Sequence, residues 1–225
     1  MNYELFLSQY MRFIIDGERD ALFETIRVWT GGLSTARAAA LINLAAFCMD
    51  DSERYVEVGT FTGFTLIAAG YDTKREVLGI DNFDVEGPAS TVGYGLQKQA
   101  VKERLTSNIK NFGHIRHTII ESDFRSVDLS GKKTGASYID GKHDYQSVID
   151  NLVWLEPSLV KDAVIIFDDV DCAGVSDAVM DWVHDHKAKY DLLFMARSKE
   201  MMYRTVGYDK TFTNGLAIVH YKGTG

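Results

Sequence analysis

Short apolar segments alternate with helical patterns along most of the chain, and this alternation constrains the fold more than any other feature. Strands are predicted at 55–59, 76–81, 116–123, 135–141 and 163–169, and helices at 64–71, 95–113, 145–159 and 174–186. Apolar strands of this kind are buried on both faces, which is typical of a parallel sheet covered by helices. Two closing strands, 190–197 and 215–222, follow each other directly, so the last is predicted to run antiparallel.

The first 50 residues are predicted to be helical. Residues 3–28 form one or two helices, and Ser34 is predicted to be the N-cap of the next. A length of 225 residues fits one domain. We therefore predict a single α/β domain over 1–225, with a helical cap at 1–50 and a cofactor-binding core at 51–225. The core is expected to be a Rossmann-like, doubly wound, mostly parallel sheet with an antiparallel final strand and helices on both faces.

Composition excludes several classes of function. The net charge is −8, and an acidic surface repels the phosphates of a nucleic acid. No segment approaches the roughly 18 apolar residues of a membrane span. Cys48 and Cys172 are too few for a disulfide framework. We expect a reduced, cytoplasmic protein that binds neither nucleic acid nor membrane, and the sequence leaves a homo-oligomer open.

Acidic residues stand at or near the ends of five predicted strands. They are Glu57, Asp81, Asp123, Asp140 and the pair Asp168–Asp169. One such acid is often only a helix cap, but five in succession weaken that explanation. Parallel strands end at one edge of a sheet, where ligands bind. The sequence therefore predicts an edge lined with hydrogen-bond acceptors.

The stretch EVGTFTGFT lies between the first strand and its helix. Its glycines, Gly59 and Gly63, allow a tight turn and a close approach of backbone to a ligand. Asp81 lies 24 residues after Glu57 (81 − 57), a spacing that suits a ribose diol. The G-x-G-x-x-G pattern and a Walker lysine are both absent. The loop thus favours an adenosine-type ligand without a diphosphate, and a nicotinamide-dependent oxidoreductase is the weaker alternative.

The same stretch, followed in order by GIDNF, IESDF, IDGKHDY and VIIFDDV, resembles the class I S-adenosylmethionine-dependent methyltransferases. Within that class it is similar to the metal-dependent small-molecule O-methyltransferases of the catechol and caffeoyl-CoA type and, more closely, of the macrocin and mycinamicin type. The similarity covers roughly residues 30–222. It implies S-adenosylmethionine and Mg²⁺ as cofactors and a small-molecule hydroxyl as methyl acceptor.

The resemblance also implies roles for single residues. The loop along the methionine portion of the cofactor would consist of Glu57, Gly59, Thr60, Thr62 and Gly63. Asp81 would hold the ribose hydroxyls, and Asp123 with Phe124 would lie beside the adenine. Asp140, which is also assigned to the cofactor side, would bind the metal together with Asp168 and Asp169.

His143, three residues after Asp140, stands where the resemblance implies a catalytic base. An unperturbed imidazole has a pKa near ~6.5 and can accept a proton at neutral pH. Three alternatives remain open. In the first, the histidine only orients a ligand carboxylate. In the second, the enzyme is a metal-independent methyltransferase whose acids cap helices, and in the third the protein is a cofactor-binding module without turnover.

The connection 82–97 is long for a strand-to-helix loop, and long loops at a ligand edge often act as lids. Phe83 and Tyr94 are candidates to line the acceptor pocket. Trp29 lies in the segment 28–34. It is predicted either to belong to the core or to lie in a loop that closes over the cofactor, and the sequence favours neither.

Overall fold

The computed structural model describes residues 1–83, 98–112, 116–197 and 212–223. Its strands are β1 Arg54–Val58, β2 Glu76–Asp81, β3 His117–Glu121, β4 Thr134–Ile139, β5 Leu159–Asp168, β6 Tyr190–Ala196 and β7 Leu216–Tyr221. The helices of the described residues are α1 Tyr3–Asp16, α2 Asp20–Thr30, α3 Ala36–Phe47, α4 Phe64–Gly70, α5 Lys98–Phe112, α6 Tyr145–Leu155 and α7 Ala173–Asp185.

All seven strands form one sheet in the order β3-β2-β1-β4-β5-β7-β6. The first five strands pair in parallel, whereas β7 lies antiparallel between β5 and β6. The predicted α/β fold with an antiparallel final strand is therefore confirmed. The carboxyl ends of β1, β2, β4 and β5 meet at one edge, called the carboxyl edge below.

The sheet separates two apolar cores, because successive side chains of a strand point to opposite faces. Tyr55 of β1 packs in the core beneath α1–α4, and the next residue, Val56, packs in the core beneath α6 and α7. Tyr138 and Ile139 of β4 divide in the same way. This alternation holds each strand between two layers of helices and leaves the strand ends for polar side chains.

The structure decides one boundary that the sequence left open, and it corrects two other predictions by more than a shift of a helix end. The N-terminal region forms two helices, which Gly17 separates in a left-handed conformation (φ 68°). The N-cap of α3 is Thr35, whose hydroxyl accepts from the Ala38 amide, so the prediction of Ser34 was wrong. Helix α6 ends at Leu155, because Pro157 disfavours continuation of an α-helix, and β5 begins at Leu159 after the 3-10 helix Glu156–Ser158.

Two further expectations have partial outcomes. Trp29 is not a core residue, since 69% of its surface is exposed. Residues 84–97, including Tyr94, lie outside the described residues, so the prediction of a lid stays a prediction. Across the described ranges, no helix combines the length and apolar character needed to cross a membrane.

Candidate active site

A cavity of about 960 Å³ opens at the carboxyl edge, beside the ends of β1, β2 and β4. Six of the predicted site residues line it, namely Gly59, Asp81, Asp123, Phe124, Asp140 and His143. The remaining six are not among its lining residues: Glu57, Thr60, Thr62, Gly63, Asp168 and Asp169. The structure therefore brings half of the predicted residues to one surface.

Two glycines shape the loop between β1 and α4. Gly59 has φ 87°, and a Cβ there would overlap the Asp140 carbonyl oxygen. Gly63 has φ 85°, and a Cβ there would overlap the Leu105 side chain. Both positions require glycine. The loop can consequently pass directly against the end of β4, which places the cofactor-side residues next to Asp140.

The Asp81 carboxylate accepts hydrogen bonds from the backbone of two loops, one after β1 and one after β2. Its Oδ2 accepts from the Thr60 amide at 2.8 Å and from the Phe61 amide at 2.9 Å. Its Oδ1 accepts from the Phe83 amide at 2.7 Å. Phe61 and Phe83 both have left-handed backbones, with φ 44° and 52°. These charge-assisted hydrogen bonds hold two strained loop residues in place.

Glu57 is completely buried beneath the loop. The Tyr55 hydroxyl donates to its Oε2 at 2.8 Å, and the Thr65 hydroxyl donates to its Oε1 at 2.9 Å. Burial raises the pKa of Glu57 well above the usual range of a glutamate. Both carboxylate oxygens are occupied, so Glu57 supports the loop from behind.

Thr62 also faces away from the cavity. Its hydroxyl donates to the Gly31 carbonyl at 3.3 Å. The Asn108 side-chain amide donates both to the Thr62 carbonyl, at 2.8 Å, and to the Thr30 carbonyl, at 2.9 Å. The loop is thereby joined to the end of α2, an arrangement that the sequence pattern does not reveal.

The far end of the cavity follows β3. Asp123 accepts from the Arg125 amide, and the Arg125 guanidinium pairs with both Asp123 and Asp150. Phe124 packs edge-on against Trp154. The sequence reasoning missed Asn151, a buried residue in the cavity lining, whose Oδ1 has no hydrogen-bond partner among the described residues.

Asp140, His143 and Asp169 form the acidic cluster of the carboxyl edge. One ligand atom from each lies within 4.8 Å of the others. The His143 Nε2 lies 2.8 Å from Asp169 Oδ2 and 3.6 Å from Asp140 Oδ1. Pairing with Asp140 and then with Asp169 raises the pKa of His143 to about 10. His143 is therefore an imidazolium at neutral pH.

The other carboxylates of the edge are destabilised by their surroundings. Desolvation raises the pKa of Asp140 to about 6. Burial, followed by the charges of Asp140 and Asp169, raises the pKa of Asp168 well above its usual range. Asp168 Oδ2 accepts from the Tyr138 hydroxyl and, at 3.4 Å, from Ser34. The structure thus brings Asp140 and Asp169 together with His143, while Asp168 faces Tyr138 and Ser34.

The cavity as a whole is acidic. Among the described residues, four carboxylates line it, those of Asp81, Asp123, Asp140 and Asp144. The described cations of the lining are Arg125, which already pairs with carboxylates, and Lys142, together with the imidazolium. Such a lining favours a ligand with net positive charge and disfavours an anion such as a diphosphate.

Comparison with known proteins agrees with this architecture. The sequence model of a family described as "Methyltransferase domain" matches residues 56–170, which are 115 of the 225 residues. The matched segment begins in β1 and ends just after the Asp168–Asp169 pair. It contains all the residues of the predicted site.

A curated relative and two solved structures extend the comparison. An uncharacterized protein of Acanthamoeba polyphaga mimivirus is 32% identical over 131 residues, which are 57% of this chain and 57% of that protein. The chain therefore matches little more than half of this relative's length.

The O-methyltransferase TomG from Streptomyces achromogenes, involved in tomaymycin synthesis and solved with S-adenosylmethionine, gives a TM-score of 0.58 at 15% identity. That match covers 84% of this chain and 81% of TomG. An O-methyltransferase from Bacillus cereus, solved with S-adenosylhomocysteine, also gives 0.58 at 15% identity and covers 90% of this chain and 91% of the other. At this level of identity the similarity concerns the fold.

Proposed function

This chain belongs to the methyltransferase-domain family, and we propose that it transfers the methyl group of S-adenosylmethionine to a hydroxyl oxygen of a small molecule. One observation carries the proposal. The glycine loop held by Asp81 lies directly against Asp140, so that an adenosine-type cavity and the cluster of Asp140, His143 and Asp169 share one edge.

The residues present fit the cofactor. Asp81 Oδ1 accepts one hydrogen bond and has capacity for a ribose hydroxyl. The unpartnered Oδ1 of Asn151 offers an acceptor in the cavity wall near Phe124. The acidic lining suits a ligand that is net positive at neutral pH. When bound, S-adenosylmethionine supplies the electrophilic methyl group. Gly59 and Gly63 would admit its methionine portion, and Asp123 with Phe124 its adenine.

The cluster also fits a hard cation. Carboxylate oxygens are the ligands that Mg²⁺ prefers, and within the described ranges Asp140 and Asp169 form their ion pairs with the His143 imidazolium. We propose these two as metal ligands, and Asp168 as the third once its oxygen is released from Tyr138. When bound, such a cation lowers the pKa of a hydroxyl that it contacts.

His143 is proposed as the group that accepts the hydroxyl proton. Asp169 and Asp140 orient its Nε2 toward the carboxyl edge. Because these carboxylates stabilise the imidazolium, His143 must lose its own proton before it can act as a base. Any added positive charge at the cluster lowers the pKa of His143 and favours the neutral imidazole.

A second candidate is a metal-independent methyltransferase of the same fold. The observation in its favour is the imidazolium of His143, which already pairs with both carboxylates of the cluster. In that case His143 would be a fixed positive charge that orients Asp140 and Asp169. A nicotinamide-dependent oxidoreductase is disfavoured by the acidic cavity lining.

The test is a screen of hydroxylated small molecules with radiolabelled S-adenosylmethionine, in the presence of Mg²⁺ and in the presence of EDTA. We expect labelled product with Mg²⁺, none with chelator, and recovery when Mg²⁺ is restored in excess. Full activity in EDTA would support the metal-independent candidate. Calorimetry with S-adenosylhomocysteine and NAD completes the test, because tight binding of NAD alone would end the methyltransferase proposal.

A further inference from the structure

The hydroxyl of Tyr138 reaches a carboxylate across the sheet. Tyr138 of β4 lies opposite Ile166 of β5 in the strand register, and Asp168 follows Ile166 by two residues on the same face. The Tyr138 side chain is completely buried, and its hydroxyl donates to Asp168 Oδ2. A phenylalanine would fill nearly the same volume of the apolar core. The hydroxyl is therefore the part of Tyr138 that core packing does not explain.

The backbone at the end of β5 separates two neighbouring carboxylates. Asp169 has a left-handed backbone with φ 55°, which is uncommon for a residue with a side chain. Its carboxylate binds the His143 imidazole at 2.8 Å, whereas Asp168 Oδ2 accepts from Tyr138 and Asp168 Oδ1 accepts from the Asp169 amide at 3.0 Å. Both oxygens of Asp168 are therefore occupied outside the acidic cluster.

Ser34 supports the same carboxylate from the loop that precedes α3. Its hydroxyl oxygen lies 3.4 Å from Asp168 Oδ2 and 3.4 Å from the Tyr138 hydroxyl oxygen. Gly32 lets this loop lie against α4, because a Cβ at that position would overlap the Phe64 side chain. Two hydroxyls from distant parts of the chain thus hold one oxygen of Asp168, and the tyrosine is the more deeply buried of the two.

A second tyrosine–carboxylate pair in the same sheet provides a reference. The Tyr55 hydroxyl of β1 donates to Glu57 Oε2 at 2.8 Å, and Tyr55 is as deeply buried as Tyr138. Glu57 has no exposed surface and does not line the cavity. Asp168 keeps 8% of its surface exposed and immediately precedes a member of the acidic cluster, Asp169. The second pair, unlike the first, is therefore placed where a cation can compete for the carboxylate.

We infer that Tyr138 is a positioning residue that sets the affinity of the acidic cluster for a divalent cation, by holding Asp168 away from it. This inference rests on the proposed Mg²⁺-dependent function. A cation that recruits Asp168 must compete with the Tyr138 hydroxyl for Oδ2, and hydrogen bonds to charged groups are among the stronger ones in proteins. The site consequently binds a cation more weakly than three unrestrained carboxylates would, and Ser34 contributes to the same effect.

The test is a titration of the full chain with Mn²⁺ at pH 8, in which electron paramagnetic resonance measures the free ion and Mg²⁺ serves as competitor. Tyr138→Phe should lower the Kd of Mn²⁺ by about tenfold, because Asp168 then loses the donor that competes with the cation. Ser34→Ala should lower it by about two- to threefold. Tyr55→Phe is the matched control, and its Kd should equal that of the wild type.

A double-mutant cycle separates positioning from a general effect of the lost hydroxyl. In the Asp168→Asn background, Tyr138→Phe should change the Kd by less than about twofold, because the carboxylate that the hydroxyl restrains is gone. Circular dichroism reports whether each variant folds. If Tyr138→Phe does not fold, the sign of the change in Ser34→Ala decides the question.

Three results would overturn the inference. They are a Kd that Tyr138→Phe leaves unchanged or raises, an equal change in both backgrounds, and an absence of Mn²⁺ binding in every protein. A raised Kd would mean that the hydroxyl prepares Asp168 for the cation. Calorimetry with S-adenosylhomocysteine and methyl transfer in EDTA report the proposed activity without the metal, so its failure is distinguishable from a failure of this inference.

Discussion

The two halves of the carboxyl edge differ in the groups that surround their carboxylates. Beside β1 and β2, Glu57 and Asp81 accept hydrogen bonds from hydroxyls and backbone amides, so every carboxylate oxygen has a protein partner. Beside β4 and β5, burial raises the pKa of Asp140 and of Asp168, and the nearby charge of Asp169 raises both further.

This difference separates a site that is already organised from one that requires positive charge. The first half holds its loops in place before any ligand arrives, which lowers the entropy lost on binding. The second half keeps like charges together at a cost in stability, and such arrangements are concentrated at functional sites. We therefore expect substitutions in the first half to weaken cofactor binding and substitutions in the second half to alter turnover, pH dependence and stability.

The largest expected effect lies in the second half. His143→Ala should lower turnover by about 10²–10⁴-fold, because a general base typically contributes that much. In the wild type, the rate should rise with pH through a histidine inflection, since His143 must first lose the proton that Asp140 and Asp169 stabilise on the imidazole.

Turnover measured against pH at saturating Mg²⁺ and S-adenosylmethionine tests this. The inflection should disappear in His143→Ala, while calorimetric binding of S-adenosylhomocysteine should stay at the wild-type level. A variant with a near-normal rate and the wild-type pH profile would make His143 a positioning residue.

The next largest effect lies in the first half. Asp81→Ala should weaken S-adenosylhomocysteine binding by about 10–150-fold, which corresponds to the ~1.5–3 kcal/mol of a charge-assisted hydrogen bond. The loop also loses its anchor at Thr60, Phe61 and Phe83. Asp81→Asn is the matched control, because it keeps an acceptor oxygen and should lose less. Equal binding by wild type and Asp81→Ala would show that the carboxylate serves only the loop.

A smaller effect is expected on the free energy of unfolding, and here the substitution should stabilise the protein. Asp168 has a raised pKa, so the folded protein binds its proton more tightly than the unfolded chain does, and the resulting penalty develops as pH rises above the unfolded value of about 4. Asp168→Asn removes that penalty and should raise the free energy of unfolding by about 0.5–2 kcal/mol at pH 8.

Urea titrations at pH 8 and at pH 4 check the sign, because the difference between wild type and variant should shrink toward pH 4. Activity should fall in the same variant. A loss of stability at pH 8 would mean that the hydrogen bond from Tyr138 needs the charged carboxylate, and that the charge repulsion described above is minor.

The smallest expected effect concerns Thr62. Its hydroxyl donates to Gly31 and lies behind the cavity, so Thr62→Val should change S-adenosylhomocysteine binding by less than about twofold. Calorimetry on Thr62→Val beside Asp81→Ala gives the contrast directly. A large loss of affinity in Thr62→Val would show that the cofactor contacts the Thr62 side of the loop, which lies behind the cavity in this structure.

The fold was predictable because burial on both faces leaves strands apolar, and the order of strands and helices follows from that pattern. Boundaries depended on local chemistry, as when Thr35 rather than Ser34 capped α3. The sequence identified Asp81 and Asp140, because each stands at the end of a strand that the apolar pattern predicts. The partners of Asp168 could not be predicted from the sequence. Ser34 lies in a distant loop and Tyr138 in a neighbouring strand, and the packed sheet brings both to Asp168.

Charge states depended on the same assembled surroundings. A lone histidine predicts a pKa near ~6.5, whereas two carboxylates from different strands raise that of His143 to about 10. Likewise, the exposure of Trp29 follows from which side of α2 the sheet covers, and periodicity over 11 residues of helix left that undecided.

The single side-chain amide of Asn108 bridges the end of α2 and the cofactor loop through the carbonyls of Thr30 and Thr62. In hydrogen-exchange terms, we expect this bridge to couple the opening of the two segments. Amides of the loop should therefore become protected together with those at the end of α2 when a ligand binds. A shortened chain without its first helices would lose loop protection even though every residue of the cavity lining remained.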